Sequence, residues 1–321
     1  MDAIDCGRDQ DDFAATVSLW DAVMLAGADR PLPAAVLERG TVLRPPASGR
    51  AVEAVARRLG LPASYVSFLG ISDGAYANGC GVVTRSGEYG LLPVAHVDRM
   101  AAVAADHIRV WVETFGSVPP EGRGERADGQ DVRSFARFGD AVLVSPMIDA
   151  IADCVVPVAP EDDAGGEGFE VWETFKEGAT RYLTFRSWIE SMITRYWVAR
   201  DDGLVRSLLP TVGEQLAAVE RWLAEPGYRW FAVRQLRRLA AAPTGDQRVE
   251  AGLDRLWAGG DPYLRLAAAQ AELGHRRKRA KEQLAALAGS PLADDDVATV
   301  RLAAGATLRV CDHPSLHTTP R

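Results

Sequence analysis

The sequence predicts an α+β domain, with an antiparallel or mixed sheet flanked by helices, followed by an all-α segment. Short strand-like runs follow one another in the first 200 residues, without the strand and helix alternation of a doubly wound fold. Beyond about Asp201 no strand pattern remains, and Ala, Leu and Arg dominate. The 321 residues, 47% of them hydrophobic, exceed one ordinary domain. We predict an acidic tail at 1–12, an α+β domain at 13–200, a helical-repeat domain at 201–308 and a C-terminal tail at 309–321.

Helical patterns open the first domain. Phe13, Val17 and Trp20 recur at helical spacing and predict an amphipathic helix. Ser48 is a candidate N-cap and Gly60 a candidate C-terminal stop for the next helix. A proline begins the third pattern, and a polar Ser-Asp-Gly turn closes it. Helices are therefore predicted within 13–27, 44–60, 61–74 and 97–115.

Strand patterns occupy the middle of the chain. Two short apolar runs, CGVVT and YGLLPV, flank a Gly-containing turn and are typical of a β-hairpin. Two segments rich in Gly and charge, 116–131 and 161–168, predict exposed loops. Strands are predicted at 80–84, 89–94, 131–138, 139–146, 154–160, 169–175 and 181–185, with a closing helix at 186–200.

An internal repeat marks the second domain. Three Arg-x-x-Ala motifs begin 36 residues apart, and helical patterns at 247–259 and 276–289 lie between them. A period of this length, built from helix pairs, is typical of HEAT-type solenoids, because one pair cannot bury its apolar face without a neighbour. A plain helical bundle is the alternative. The motifs are Arg229 with Ala232, Arg265 with Ala268, and Arg301 with Ala304.

Several motifs of the first domain occur in the order found in a known family. PPAS and LPASYVSFLGISDG are followed, far along the chain, by FGDAVLVSP, FEVWETF and GATRYLTFRSWIESMI. Together they resemble the SUKH superfamily, which includes bacterial immunity proteins and fungal cell-wall-assembly regulators, over roughly residues 13–200. The sequence departs from the family at Ala75, where another Gly or a Trp is common. The resemblance implies a domain that binds and blocks a cognate toxin, while the fold itself does not name the toxin.

Residue patterns argue against several other classes of function. The acidic N-terminus is unlike a targeting segment, and no apolar run is long enough to span a bilayer, so we expect a cytoplasmic protein without membrane contact. Nucleotide-binding and hydrolase motifs are missing, and the scattered Cys and His residues predict neither a metal site nor a cofactor. Glu170 and Glu173 fall on different faces of a strand, so paired-carboxylate catalysis is not expected. The basic run at 276–281 spreads around a helix and does not predict nucleic-acid binding.

The charge distribution and the family resemblance together favour a protein partner. Residues 1–200 carry 19 basic and 29 acidic side chains, whereas residues 201–321 carry 17 and 15. An acidic surface favours encounter with a basic protein. We therefore predict a non-enzymatic immunity protein that masks a basic toxin such as a nuclease. The alternative is an intracellular scaffold or regulatory adaptor that binds a non-toxic client.

Candidate partner-binding residues lie on the predicted turns and the first hairpin. Acidic side chains there would pair with a basic groove, and exposed aromatic rings would anchor the contact. A second interpretation stays open, in which the two tyrosines cap the edge of the sheet and the acids are simply solvated. The candidates are Asp73, Tyr76, Glu88, Tyr89, Asp162 and Asp163.

Overall fold

The chain divides by its internal contacts into two compact units. The first comprises Met1–Trp20 and Val42–Ile193, and the second comprises Asp21–Thr41 and Thr194–Arg321. The sequence-based boundary places Asp21–Thr41 in the first domain instead. The computed structural model describes residues 6–28, 31–77, 90–115, 127–132, 137–147, 152–175, 178–193, 217–219, 221, 247–273, 276–291 and 294–313.

Helices with local sequence signals form where the sequence predicts them. Ser48 caps the third helix by accepting a hydrogen bond from the amide of Ala51, and Gly60 ends that helix in a left-handed conformation. The first helix begins at Cys6, seven residues before its predicted start. The first seven helices are α1 (Cys6–Ala26), α2 (Ala34–Arg39), α3 (Gly49–Leu59), α4 (Ala63–Ile71), α5 (Met100–Val103), α6 (Ala105–Phe115) and α7 (Phe185–Ile193).

One antiparallel sheet of six strands forms in the described part of the first unit, so the α+β prediction is confirmed. Its strands are β1 (Asp98–Arg99), β2 (Gln130–Asp131), β3 (Val142–Leu143), β4 (Asp153–Pro157), β5 (Phe169–Phe175) and β6 (Gly178–Tyr182). The spatial order is β1-β3-β4-β5-β6-β2. The last four strands in sequence therefore form a simple meander, and the two-residue strands β1 and β2 lie at the edges.

Some predicted elements differ from the structure. The helix predicted at 97–115 begins only at Met100 and breaks at Ala104, because Asp98 pairs with Leu143 of β3 and the amide of Met100 donates to the carbonyl of Ala141. Of the strand expected at 131–138, the structure shows the first residue in β2, the Val132 amide donating to the Ala179 carbonyl, and Phe138 in a turn of 3-10 helix, while residues 133–136 lie outside the described residues. The predicted hairpin at 80–94 falls largely on 78–89, outside the described residues.

Aromatic side chains hold the helices and the sheet of the first unit together. Phe68 of α4 contacts Trp20 of α1 at 6.3 Å and Phe185 of α7 at 5.1 Å between ring centroids. On the sheet, Trp172 stacks on Phe138 at 5.8 Å. Helix α7 in turn packs on β5 and β6. Such ring pairs add favourable contact energy beyond the area they bury.

Every described element of the Thr194–Arg321 segment is helical. The helices are α8 (Gln247–Ala258), α9 (Pro262–Glu272), α10 (Arg277–Ala288) and α11 (Asp295–Asp312), and residues 217–219 and 221 are also helical. Asp261 and Asp294 cap α9 and α11 through their side chains. Helix α9 packs against α8, α10 and α11. Arg265 and Arg301 of the repeat lie in α9 and α11, and Arg229 lies outside the described residues.

Candidate functional site

An acidic loop at residues 160–168 connects β4 to β5. It opens with a turn of 3-10 helix at Pro160–Asp162. The carboxylate of Asp163 then accepts hydrogen bonds from the amides of Glu167 (3.2 Å) and Gly168 (2.6 Å). These two hydrogen bonds close the loop, because the Asp163 side chain accepts from two amides that would otherwise need backbone acceptors.

Glu167 fastens the acidic loop to the start of α4. Its carboxylate accepts from the amide of Ser64 at 3.1 Å and from the Ser64 hydroxyl at 2.6 Å. The N-cap of α4 is Pro62, whose side chain makes no capping hydrogen bond. A carboxylate from another part of the chain thus satisfies a free amide at this helix end, where negative charge is favoured.

Ser64 also connects the acidic loop to the start of α7. Its hydroxyl oxygen accepts a hydrogen bond from the amide of Phe185 at 3.2 Å. Nearby, Gly165 approaches the carbonyl oxygen of Leu183 so closely that a Cβ atom would lie 2.2 Å from it. The loop is therefore held to α4 by hydrogen bonds, and Ser64 links α4 in turn to the start of α7, while Gly165 makes a close backbone contact with Leu183.

Burial shifts the acidity of Glu167. Desolvation raises the pKa of this carboxyl group, the hydrogen bonds from Ser64 lower it, and the charge of Asp163 raises it further. The net effect is a raised pKa. By contrast, Glu161 in the opening turn of the acidic loop is exposed, and Asp162 is partly exposed. The loop thus presents two carboxylates outward and uses two others to fix its own shape.

Asp73 serves the fold at the opposite end of α4. Its side chain accepts from the amide of Val94 at 2.6 Å, and its own amide donates to the carbonyl of Pro45 at 3.0 Å. Helix α4 has nine residues, which at 1.5 Å per residue span about 13 Å. Asp73 and the acidic loop therefore do not form one continuous group of carboxylates.

Tyr76 lacks the exposure that a partner anchor needs. It is only 8% exposed, and its amide donates to the carbonyl of Val42. The guanidinium of Arg44 lies 5.3 Å from the centre of its ring. The prediction that Tyr76 is an exposed anchor is wrong. The ring is buried, and the backbone of Tyr76 is paired with Val42. The other two hairpin candidates, Glu88 and Tyr89, lie outside the described residues.

A buried charged group on the sheet was not singled out by sequence reasoning. Glu170 and Arg181 are each 2% exposed, with Oε1 and Nη1 3.5 Å apart. The indole of Trp172 donates to Glu170 Oε2 at 2.9 Å. Trp172 and Arg181 are directly paired across β5 and β6, so all three side chains share one face. The alternation of Glu170 and Trp172 along β5 indicates that they share a face, but Arg181, the ion-pair partner of Glu170, lies on another strand and no local pattern reveals it.

Glu170 and Glu173 occupy opposite faces of β5. Glu173 accepts a hydrogen bond from the Tyr182 hydroxyl at 3.3 Å, whereas Glu170 contacts Arg181. Two carboxylates that act on one glycosidic bond must face each other across a substrate cleft. The register of β5 does not provide that arrangement.

The basic run at 276–281 is engaged by acidic groups of the second unit. Arg276 and Arg279 form ion pairs with Asp254 of α8 and Glu272 of α9. Lys281 pairs with Asp312, and Arg277 donates to the carbonyl of Cys311 at 2.8 Å. These contacts hold α10 against its neighbours and reduce the positive charge that a phosphate would meet.

Metal and membrane features are missing from the described ranges. No cluster of His, Cys, Asp or Glu side chains there could hold a metal ion. None of the helices described combines the length and the apolar character needed to cross a bilayer.

Comparison with known proteins adds no family assignment. No family model, curated protein or solved structure matches the chain. The likeness to the SUKH superfamily accordingly rests on the motifs in the sequence, and function is inferred from the acidic loop.

Proposed function

We propose that the chain is a non-enzymatic immunity protein that acts in the cytoplasm. It binds and masks a cognate toxin, which we propose is a basic effector such as a nuclease. The observation that carries the proposal is the acidic loop, which is fixed by Asp163 and Glu167 and directs Glu161 and Asp162 outward. The partner class follows from charge: carboxylates in a fixed array complement a groove that binds phosphates.

The order of elements supports a SUKH-like first unit. The motif PPAS directly precedes α3 and supplies its N-cap, α4 lies within the second motif, and β5, β6 and α7 carry the last two. The acidic loop and Ser64 connect these two separated parts of the motif pattern through hydrogen bonds. A single loop that depends on both parts is a natural place for a family to vary its partner without changing the fold.

The packing of the second unit supports a HEAT-like repeat. Helix α9 contacts its sequence neighbours α8 and α10, and it also contacts α11, the next helix that carries the Arg-x-x-Ala motif. Contacts between equivalent helices of successive pairs are what a stacked array of repeats requires. We propose that this segment supports the first unit as a second protein-binding module.

Rigidity of the acidic loop favours tight and selective binding. A flexible loop loses conformational freedom when a partner fixes it, which costs affinity. Here the loop is already held by four hydrogen bonds to its own carboxylates. Glu161 and Asp162 can therefore meet basic side chains without that cost, while their charge also speeds the encounter.

The test is capture of the partner followed by protection of cells. The tagged chain is used to isolate proteins from its source organism, and each captured small basic domain is expressed with and without it. We expect one domain to be toxic alone and harmless in the presence of the chain. Recovery of non-toxic clients only would replace immunity with the scaffold or adaptor function.

Charge reversal in the acidic loop tests which surface carries the binding. We expect Glu161→Lys to weaken the captured complex by about tenfold, the usual scale for one interfacial charge contact. Glu53→Lys is the matched control, because Glu53 is an exposed acid on α3 and does not belong to the loop. Calorimetric titration of both variants decides the matter. Equal weakening by the two substitutions, or none, would remove the acidic loop from the interface.

A further inference from the structure

Residues 21–41, here called the strap, belong to the second unit although residues 42–193 separate them from its other helices in sequence. The strap contains the end of α1, from Asp21 to Ala26, and all of α2. Its contacts with α9 and α11 are specific and are made by buried polar side chains.

Gln270 of α9 binds the end of α1. Its side chain is fully buried, and Nε2 donates to the carbonyl of Ala26 at 2.9 Å and to the Thr307 hydroxyl at 2.8 Å. Ala26 is the final residue of α1, where a carbonyl has no partner within the helix. Gln270 thus provides a hydrogen-bond donor for the last carbonyl of α1, which lies 244 residues earlier in the sequence.

Thr299 of α11 makes the second polar contact. Its hydroxyl accepts a hydrogen bond from the amide of Leu32 at 3.0 Å, and Thr299 is fully buried while Leu32 is 4% exposed. Thr299, Ala303 and Thr307 follow one another at intervals of four residues along α11 and therefore line one face of that helix. This face is built from small side chains, which lets the strap approach closely.

Apolar contacts complete the fit of the strap. Helix α2 packs on α11, and Val36 of α2 is fully buried. Gly40 ends α2 with a φ of +68°, and a Cβ atom there would lie 3.6 Å from the Leu302 side chain of α11. The strap is therefore joined to α11 at three points along its length.

We propose that the strap is an intramolecular ligand of the helical unit, which covers the face formed by α9 and α11 and acts as a terminal cap of the repeat. Stacked repeats need such caps, because an end helix otherwise leaves its inner face open to water. Without the strap, Gln270 would lose its hydrogen bond to Ala26, Thr299 would lose its hydrogen bond to Leu32, and the face that carries them would be exposed to water. Opening of the strap and loosening of α9 and α11 are therefore one event.

Hydrogen-exchange mass spectrometry of the full chain tests this coupling. Thr299→Val removes the acceptor for the Leu32 amide but keeps the shape of the side chain. We expect exchange to accelerate by roughly tenfold in peptides of the strap, of α9 and of α11 together, since one lost buried hydrogen bond has about that effect. Peptides from β5 and β6 should not change, and Thr299→Ser should restore the original rates.

A second variant separates coupling from a local effect on α11. Val36→Ala weakens the strap without altering α9 or α11, and we expect the same joint acceleration in all three segments. If either variant speeds exchange in the strap alone, the strap is a passive appendage. If exchange in α11 changes only for Thr299→Val, the substitution acts on its own helix and the proposal is also overturned.

Discussion

Glu167 shows how one carboxylate can set the shape of a loop at some energetic cost. Burial disfavours its charged form, while two hydrogen bonds from Ser64 favour it. Burial is the larger effect, so the pKa of the folded protein lies above that of the unfolded chain. A carboxyl group with a raised pKa contributes stability that is complete below its unfolded pKa and is lost as the pH rises through the folded value.

Replacement of Glu167 by Gln should therefore change the pH dependence of stability. We expect the free energy of unfolding of Glu167→Gln to increase relative to that of the parent chain as the pH rises from about 4 to about 7, because only the parent loses stability over that range. Hydrogen exchange of β5 peptides in graded urea measures this for the first unit. A difference that shrinks with rising pH would mean that the Ser64 hydrogen bonds outweigh burial.

Asp98 provides a control of opposite sign. Its pKa is lowered, chiefly by the hydrogen bond from the amide of Arg99 and also by Arg58. A lowered pKa contributes stability that is present above the unfolded value and is lost as the pH falls. We therefore expect Asp98→Asn to become less stable than the parent chain as the pH rises through the acid range below about 4, where Asp98 titrates.

Helix ends and helix interiors place opposite demands on glycine, as Gly40 and Gly305 of the second unit illustrate. Gly305 lies within α11, where a Cβ atom would come no closer than 4.0 Å to the Arg309 side chain. Gly40 ends α2 in the left-handed region, at a φ of +68°. A side chain is favourable at the first position and strained at the second.

Alanine substitutions at these two glycines should change stability in opposite directions. We expect Gly305→Ala to stabilise the second unit by about 0.5–1 kcal/mol and Gly40→Ala to destabilise it by about 1–2 kcal/mol. Hydrogen exchange of α11 peptides in graded urea reports both values on one scale. Stabilisation by both substitutions would show that the end of α2 does not require a left-handed residue.

Elements with strong local signals could be predicted from the sequence, and elements without them could not. Helix α3 has an N-cap, an apolar face and a terminal glycine within its own residues, and β5 has seven residues of strand character. Strand β1 has two residues and exists because β3 pairs with it. Likewise, Glu167 caps α4 from 103 residues away, so no local pattern could place it at the candidate site.

Domain boundaries were harder to predict because the second unit is discontinuous. The change from strands to helices near residue 200 is visible in composition, and the fold class follows from it. The strap, however, joins α11 through a hydrogen bond between residues 267 positions apart. The sequence pattern of α1 predicts one amphipathic helix, and nothing in it reveals that the carbonyl of Ala26 accepts a hydrogen bond from Gln270.

Charge divides between the two units of the molecule. The first unit carries 15 basic and 26 acidic side chains, and the second carries 21 and 18. The difference in net charge persists when the strap is counted with the helical unit, so the excess of acidic side chains belongs to the first unit. A net negative field draws a basic partner toward the first unit before any contact forms.

Long-range attraction of this kind predicts a salt dependence that is concentrated in the association rate. We expect the association rate constant with the captured basic partner to fall at least tenfold between about 20 and about 500 mM salt, while the dissociation rate changes much less. Stopped-flow mixing at several salt concentrations measures both rates. The control variant Glu53→Lys removes net charge without touching the acidic loop, so it should lower the association rate slightly and leave dissociation unchanged. An association rate that is insensitive to salt would mean that binding is not steered by charge, and the partner would then be sought among proteins without a basic groove.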